Sequence, residues 1–148
     1  MVKQQEQAEQ KRLVQISRMP ATHKEKIAGL ILLYPAFVMA DDTRSEFGSV
    51  EDIPESYSLM GLTVGREYGA ALMDYDFYEV IPQYDKEVLL IHGDKDGIVP
   101  ISYSEKAAQV YPSVQFEVLS GAGHGFYGKD VEKTIDFILG YLKELFGE

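Results

Sequence analysis

Residues 87–100 read EVLLIHGDKDGIVP, and this stretch decides the fold. Its first half is continuously apolar between Glu87 and His92, which predicts a strand that is covered on both faces of a sheet. A glycine ends the apolar run, and a loop that contains two aspartates follows. The stretch therefore predicts a buried strand that presents Asp94 and Asp96 at its carboxyl end.

Two more strands are predicted on either side of this one along the chain. The run that begins at Ile27 and ends at Tyr34, IAGLILLY, is also continuously apolar and predicts a second strand buried on both faces. Residues 114–119, VQFEVL, alternate more between apolar and polar types. They therefore predict a third strand that lies nearer the edge of the sheet.

Two helices are predicted after the second strand. Residues 102–111 begin with Ser102 and Glu105 at the spacing of a capping box. Residues 130–146 carry apolar side chains at helical spacing, and Gly147 follows directly. The order strand, excursion, strand, helix, strand, helix is typical of right-handed βαβ units. We therefore expect an α/β fold with a short, mostly parallel three-stranded sheet and helices on both faces.

Two segments lie outside this alternation. Residues 2–19 are rich in Gln, Glu and Lys and predict a helix at the start of the chain. Residues 41–55 are polar and residues 57–84 are rich in tyrosine, and a hairpin followed by a helix is one interpretation of residues 57–84. The predicted organisation is thus an N-terminal helical segment, residues 1–22, and one domain, residues 23–148, with an insertion.

Composition excludes several classes of function. The 148 residues include 24 Asp and Glu against 14 Lys and Arg, and the net charge is −10. This balance argues against binding to nucleic acid or to an anionic membrane surface. The sequence has no Cys, hence no disulfides, and no apolar run of the roughly 20 residues that cross a bilayer. The polar N-terminus does not resemble a secretory signal, so we expect a cytoplasmic protein.

Two glycine-containing loops carry the residues that are suited to chemistry. Asp94 and Asp96 follow the second strand, and His124 follows the third within SGAGHGF. An aspartate that orients a histidine is the arrangement that activates a nucleophile. Taken separately, the loops could equally hold a solvated acidic turn and a structural histidine. Neither loop has the spacing of a dinucleotide or calcium site, so we expect no cofactor and no metal.

Together the two loops are similar to a known pair of motifs. HGDKDGIVP at residues 92–100, followed by GAGHGF at residues 121–126, resembles the acid and histidine motifs of the α/β-hydrolase superfamily. The resemblance implies that Asp96 is the acid of a Ser-His-Asp triad. It implies that His124, 28 residues later, is the base. It also implies a loop-shaping role for Asp94.

The resemblance extends over residues 23–148 and is greatest to bacterial cinnamoyl and feruloyl esterases. It includes the Tyr-Pro-Ala motif that begins at Tyr34. It implies that the chain supplies the last three strands of the family's sheet, that residues 41–84 are a lid, and that His92 is a structural residue. The implied substrate is a small ester.

The nucleophile of that family has no counterpart here. No Gly-x-Ser-x-Gly occurs in the sequence; Ser49 lacks the second glycine, and Ser120 is only four residues from His124. Ser102 is predicted to cap a helix. We therefore expect a truncated carboxylic ester hydrolase that keeps the acid and the histidine. Without its own serine nucleophile and oxyanion hole, it should have weak or no esterase activity alone.

Two other functions remain open on the sequence. The chain could be a non-catalytic oligomeric assembly or binding module, or one half of a split esterase that a partner chain completes. If the family topology holds, the strand from Ile27 to Tyr34 loses its neighbour on one side. Because an apolar strand with a free edge tends to pair with another chain, we expect a homo-oligomer, most simply a two-fold dimer through this edge.

Overall fold

The computed structural model describes residues 23–147, which form two compact units. The inserted unit is Val38–Asp76, and the sheet unit comprises His23–Phe37 and the residues from Phe77 onward. The predicted helix at residues 2–19, and with it the whole segment 1–22, lies outside the described residues.

The elements are numbered in chain order. Within residues 23–147 the strands are β1 (Leu30–Leu33), β2 (Ser56–Leu59), β3 (Leu62–Gly65), β4 (Val88–Gly93) and β5 (Val114–Leu119). The helices of the same residues are α1 (Met39–Phe47), α2 (Arg66–Met73), α3 (Phe77–Val80), α4 (Ser102–Val110) and α5 (Lys129–Phe146). Short 3₁₀ turns occur at Lys24–Lys26 and Ile81–Gln83.

The sheet unit contains the parallel sheet that the sequence predicts. Its strand order is β1-β4-β5, and both pairings are parallel. All six residues of β4 are buried, as a continuously apolar central strand requires. The prediction for β1 is wrong in one respect, because its four residues are only half-buried. This strand lies at an edge of the described sheet, so it has a β-strand neighbour on one side only.

Helices cover both faces of β4. Leu89 and Ile91 point to one face and pack in a cluster with Tyr141 of α5. Leu90 points to the other face and packs against Ala107 of α4 and the turn that contains residue 81. Because neighbouring residues of a strand face opposite sides, a wholly apolar strand is needed between two helical layers. The three-layer α/β prediction is confirmed.

The ends of the last two helices differ in how well the sequence predicted them. α5 ends at Phe146, and Gly147 has a positive φ of 73°, which is the left-handed C-terminal position expected for a glycine. α4 begins at Ser102, but Ile101 occupies the N-cap position and no side chain caps it. The predicted capping box is therefore wrong.

The inserted unit contains α1, an antiparallel β2–β3 hairpin and α2. The hairpin turn places Met60 and Gly61 at positive φ, and the chain continues into α2. A hairpin followed by a helix is thus confirmed for this region. The lid-like insertion predicted at residues 41–84 differs in extent from this unit, because residues 77–84 belong to the sheet unit, where Ile81 is buried. Its function as a lid stays a prediction.

Residues 23–147 contain no helix that combines the length and the apolar character needed to cross a bilayer. In the same part of the chain, no group of three or more His, Cys, Asp or Glu side chains is placed to hold a metal ion.

Leu90→Ala should lower the free energy of unfolding by about 2–5 kcal/mol, because it leaves a cavity in a close-packed layer. Leu139→Ala on α5 is the matched control, since this leucine is 51% exposed. The control should change stability by no more than about 0.5 kcal/mol. Urea unfolding followed by circular dichroism measures both, and equal losses would contradict the assigned core.

Candidate active site

The loops after β4 and β5 lie side by side because the two parallel strands end in register, with Gly93 opposite Leu119. Asp94 connects them. Its backbone N–H donates to the carbonyl oxygen of Leu119 at 3.2 Å, and its Oδ1 accepts from the N–H of Gly121 at 2.6 Å. The carboxylate of Asp94 therefore links the two loops.

Gly93 makes this close approach possible. A Cβ atom at this position would collide with the backbone carbonyl of Ala122. The N–H of Lys95 donates to that same carbonyl at 2.9 Å, so the backbone there is fixed and has little room to shift. A residue without a side chain is needed where two loops pack this tightly.

Asp96 occupies the centre of the arrangement, with no exposed surface on its side chain. Its Oδ1 accepts from the backbone N–H groups of Ile98 and Val99, both at 2.8 Å. Its Oδ2 lies 2.9 Å from Nδ1 of His124 and 3.2 Å from Nε2 of His92. The backbone of residues 96–99 thus folds around the carboxylate and fixes its orientation.

These contacts determine the protonation of Asp96. Burial is the largest single influence, and it acts to raise the pKa. Hydrogen bonds oppose it, first from the backbone N–H of Val99, then from the His124 ring, then from the backbone N–H of Ile98. Together they outweigh burial, so the pKa of Asp96 lies below its usual value and the group is a carboxylate at neutral pH.

The His124 ring contacts Asp96 through one nitrogen and packs beside the ring of Tyr34. Its side chain is 26% exposed, and Nδ1 contacts Asp96. The ring centroid of Tyr34 lies 4.9 Å away, and Tyr34 in turn meets Phe126 edge-on at 5.0 Å. No residue within 23–147 forms a hydrogen bond with Nε2 of His124. That nitrogen is available to a reacting group.

Tyr34 has an unusual backbone. Its φ is +38°, in the region that L-amino acids with side chains rarely adopt. Such strain costs on the order of 1–3 kcal/mol and persists where surrounding structure enforces it. Tyr34 directly follows β1, and its N–H donates to the carbonyl of Ile91 at 2.8 Å. The strained position places the tyrosine ring against His124, a contact that the sequence did not indicate.

The serines named from the sequence are not joined to this pair. Ser49 lies in the inserted unit, where its hydroxyl donates to Oδ2 of Asp52 at 2.7 Å. Ser102 and Ser120 are exposed in the sheet unit. Across residues 23–147, no serine forms a hydrogen bond with His124. The structure therefore brings together Asp96 and His124, and no described nucleophile joins them.

Sequence reasoning missed one buried contact of the site. His92, expected only to be structural, places Nδ1 2.7 Å from Oγ of Ser104, and both residues are fully buried. Ser104 gives no signal in the sequence, because a serine in an amphipathic helix usually faces solvent. The only available hint is a histidine inside a wholly buried strand, since a buried imidazole needs polar partners on both nitrogens.

The pair has a defined chemical capacity. A carboxylate can only accept hydrogen bonds, so Nδ1 of His124 must carry the proton that it shares with Asp96. Nε2 then has a free lone pair and can take a proton from a nearby hydroxyl group. Asp96 stabilises the positive charge that the ring gains when it does so.

Comparison with known proteins assigns the family. The sequence pattern of the alpha/beta hydrolase fold matches residues 54–130, more than half of the 148 residues. The chain belongs to the α/β-hydrolase fold family. The resemblance noted from the two loop motifs is thus confirmed, and the matched segment of this α/β hydrolase includes both Asp96 and His124.

Solved structures agree with this family. Est1E from Butyrivibrio proteoclasticus superposes with a TM-score of 0.78 at 21% identity, over 91% of this chain and 58% of Est1E. A monoacylglycerol lipase from Paleococcus ferrophilus gives 0.63 at 18% identity, over 89% of this chain and 63% of the lipase. At these identities the likeness shows the fold.

One curated protein is related over a shorter segment. The non-heme chloroperoxidase CPO-A1 from Kitasatospora aureofaciens is 39% identical over 51 residues, which are 34% of this chain and 18% of that protein. This α/β hydrolase therefore spans less than two thirds of the length of each relative described here.

Asp96→Asn should make the free energy of unfolding depend less steeply on pH in the acidic range. The pKa of Asp96 is lowered by folding, so its charged form stabilises the fold above about pH 4 and this contribution is lost as the pH falls through the lowered pKa. Urea unfolding between about pH 2.5 and 6 measures the slope. Asp136→Asn, on the exposed side of α5, is the control and should keep the slope of the unmodified chain.

Proposed function

We propose that this chain carries the acid and the base of a serine carboxylic ester hydrolase. The observation that carries the proposal is the 2.9 Å contact between Oδ2 of buried Asp96 and Nδ1 of His124, which leaves Nε2 of the ring available. This is the geometry in which a histidine removes the proton of a serine hydroxyl group.

The proposed reaction divides the work between the two residues. Nε2 of His124 takes the serine proton as the serine oxygen bonds to the ester carbonyl carbon. The same nitrogen then gives the proton to the alcohol oxygen as the ester C–O bond breaks. A water molecule then attacks the acyl-serine intermediate, and Nε2 of His124 takes the water proton and returns it to the serine oxygen. Asp96 stays ionised throughout, because it accepts hydrogen bonds at both oxygens.

An ester is the proposed substrate class. Est1E has also been solved with ferulic acid bound, and that structure matches this chain with a TM-score of 0.77. Another similar structure is a monoacylglycerol lipase by name. These names support a carboxylic ester, and within that class a hydroxycinnamate ester, as the substrate to test first.

The proposal requires a nucleophile from outside these residues. The sequence contains no Gly-x-Ser-x-Gly, and no described serine contacts His124. The chain alone should therefore hydrolyse esters weakly or not at all. A longer polypeptide or a partner chain that carries the serine and the oxyanion hole would complete the site, as in a split esterase. A reading frame directly upstream that encodes a Gly-x-Ser-x-Gly elbow would support the proposal.

The pure chain should not react with a fluorophosphonate probe, because no serine within residues 23–147 contacts His124. Once the chain is extended or complemented by the segment that carries the elbow, a hydroxycinnamate ester should be hydrolysed. His124→Ala should then lower kcat/KM by about a millionfold, and Asp96→Asn by about ten thousandfold, since each disables the proton transfer.

His23→Ala is the matched control for these assays, because this exposed histidine is next to Lys24, which pairs with Asp85 before β4 begins, whereas the site loops follow the strands. It should leave kcat/KM unchanged. Labelling of a serine in the chain alone would show that a nucleophile is present after all. Equal rates for the complemented chain with and without His124 would contradict the role of the base.

A second candidate, an oligomeric assembly, is favoured by the edge of β1. The N–H groups of Leu30 and Tyr34 donate to the strand next to it, at 3.0 and 2.8 Å. Because alternate residues of a strand point their backbone groups to opposite sides, those of Ile31 and Leu33 point to the free edge. Within residues 23–147 no strand pairs there. Two copies could join these edges into one continuous sheet.

Ile31→Pro should convert a dimer to a monomer if this edge is the interface. Proline removes the N–H that points away from β4 and spares the hydrogen bonds of the β1–β4 pair. Light scattering at micromolar concentration measures the mass. Ile31→Ala is the control, since it removes the side chain but keeps the N–H, and it should stay dimeric. A monomeric unmodified chain would refute the assembly.

A further inference from the structure

The ring of Tyr34 does not lie where the alternation of β1 predicts. Ile31 and Leu33 pack in the cluster covered by α5, and Leu32 packs in the cluster covered by α4. Because successive side chains of a strand point to opposite faces, an extended residue after Leu33 would point toward α4. The ring of Tyr34 instead meets Phe126, which packs in the cluster covered by α5, edge-on at 5.0 Å. The side chain therefore departs from the alternation at the end of the strand.

The backbone of Tyr34 explains this change of direction. Its φ of +38° lies far from the extended region, although the proline that follows, Pro35, makes an extended conformation the relaxed one for the residue before it. The backbone is still tied to the sheet, since the N–H of Tyr34 donates to the carbonyl oxygen of Ile91 at 2.8 Å. The hydrogen bonds of β1 thus continue up to Tyr34, while its ring turns toward the loop after β5.

The imidazole of His124 needs a second support in that loop. Its Nδ1 lies 2.9 Å from Oδ2 of Asp96, and this contact fixes one atom of the ring but leaves the ring able to tilt about it. The torsion about the Cβ–Cγ bond of histidine has broad energy wells, so rotamer preference does not hold the plane either. The ring of Tyr34 lies 4.9 Å away between centroids, with the two planes inclined by 59°. That is contact distance for two aromatic rings, so the tyrosine restricts the tilt.

The ring of Tyr34, and not its hydroxyl group, makes these contacts. Its neighbours are the rings of His124 on one side and Phe126 on another. Phe126 is half-buried in the core, so it supports the tyrosine ring in turn. Within residues 23–147 the hydroxyl group of Tyr34 forms no hydrogen bond. A phenylalanine at this position should therefore make the same contacts.

We propose that Tyr34 is a positioning residue whose aromatic ring holds the imidazole plane of His124 and so keeps Nε2 directed at the hydroxyl group that loses its proton. The proposal rests on the proposed function, in which His124 is the base. Tyr34 acts through the imidazole and needs no contact with the substrate. A displacement of about 1 Å at a reacting group costs about a hundredfold in rate, so a ring that prevents tilting has a measurable effect.

Carbon-13 NMR relaxation of the histidine side chains in the intact 148-residue chain tests this directly, because the sequence has only three histidines. In the unmodified chain the Cε1–H bond of His124 should be rigid, with an order parameter of about 0.85. Tyr34→Asn removes the ring but suits the backbone, since asparagine adopts positive φ more readily than most residues. In this variant the order parameter should fall to about 0.6 or below, whereas Tyr34→Phe should keep the value of the unmodified chain.

Two controls separate this contact from general effects. Tyr127→Asn makes the same substitution at a tyrosine that is 79% exposed and lies against Gly125 in the same loop. Tyr141→Phe removes a hydrogen bond of 2.8 Å to the carbonyl oxygen of Glu87, at the opposite end of β4 from the loops, and should lower the melting temperature. Neither control should lower the order parameter of His124.

Kinetics of the complemented chain distinguish positioning from substrate binding. Tyr34→Asn should lower kcat about tenfold to a hundredfold and leave KM within about twofold, because the ring aligns the base and not the ester. Tyr34→Phe should keep the kcat of the unmodified sequence. A higher KM with an unchanged kcat would show that the tyrosine binds the substrate instead, and would overturn the proposal.

The NMR outcomes are equally distinct. An unchanged order parameter in a folded Tyr34→Asn variant would overturn the proposal, as would an equal loss of order in Tyr34→Phe or in Tyr141→Phe. If Tyr34→Asn does not fold, Tyr34→Gly gives the same test, since glycine also lacks the ring and adopts positive φ. The NMR measurement does not depend on turnover. An inactive complemented chain would therefore count against the ester hydrolase and not against the contact that holds His124.

Discussion

The buried carboxylate of Asp96 connects the fold to its chemistry. A charge without solvent is stable in a protein only when hydrogen bonds replace its hydration. Here the loop after β4 provides backbone N–H groups, and the loop after β5 provides His124. The register of the two parallel strands is what allows groups so far apart in sequence to meet at one carboxylate.

Local patterns were sufficient for most of the sheet unit. The apolar run of β4, the alternation of β5 and the glycine after α5 each reflect a constraint acting within a few residues. The burial of β1 was misjudged, because an apolar run does not reveal how many neighbours a strand has. The capping box failed for a related reason: Ser102 has the right spacing, but the chain enters the helix one residue earlier.

The site was predictable only in part. Asp96 and His124 could be paired because each lies in a recognisable loop motif, and the structure brings them together. The Ser104 contact could not be predicted, since it joins a helix to a strand residue that precedes it by twelve positions and depends on how the two pack. The contact between Tyr34 and His124 could not be predicted for another reason: it depends on a positive backbone φ that the local sequence does not indicate.

Position 34 places opposite demands on stability and on reactivity. Glycine would adopt the positive φ without strain, so folding alone would favour its presence there. A glycine, however, would leave the imidazole of His124 without the aromatic surface that limits its tilt. Backbone strain alone would thus favour glycine at position 34, whereas the packing of the imidazole ring favours tyrosine.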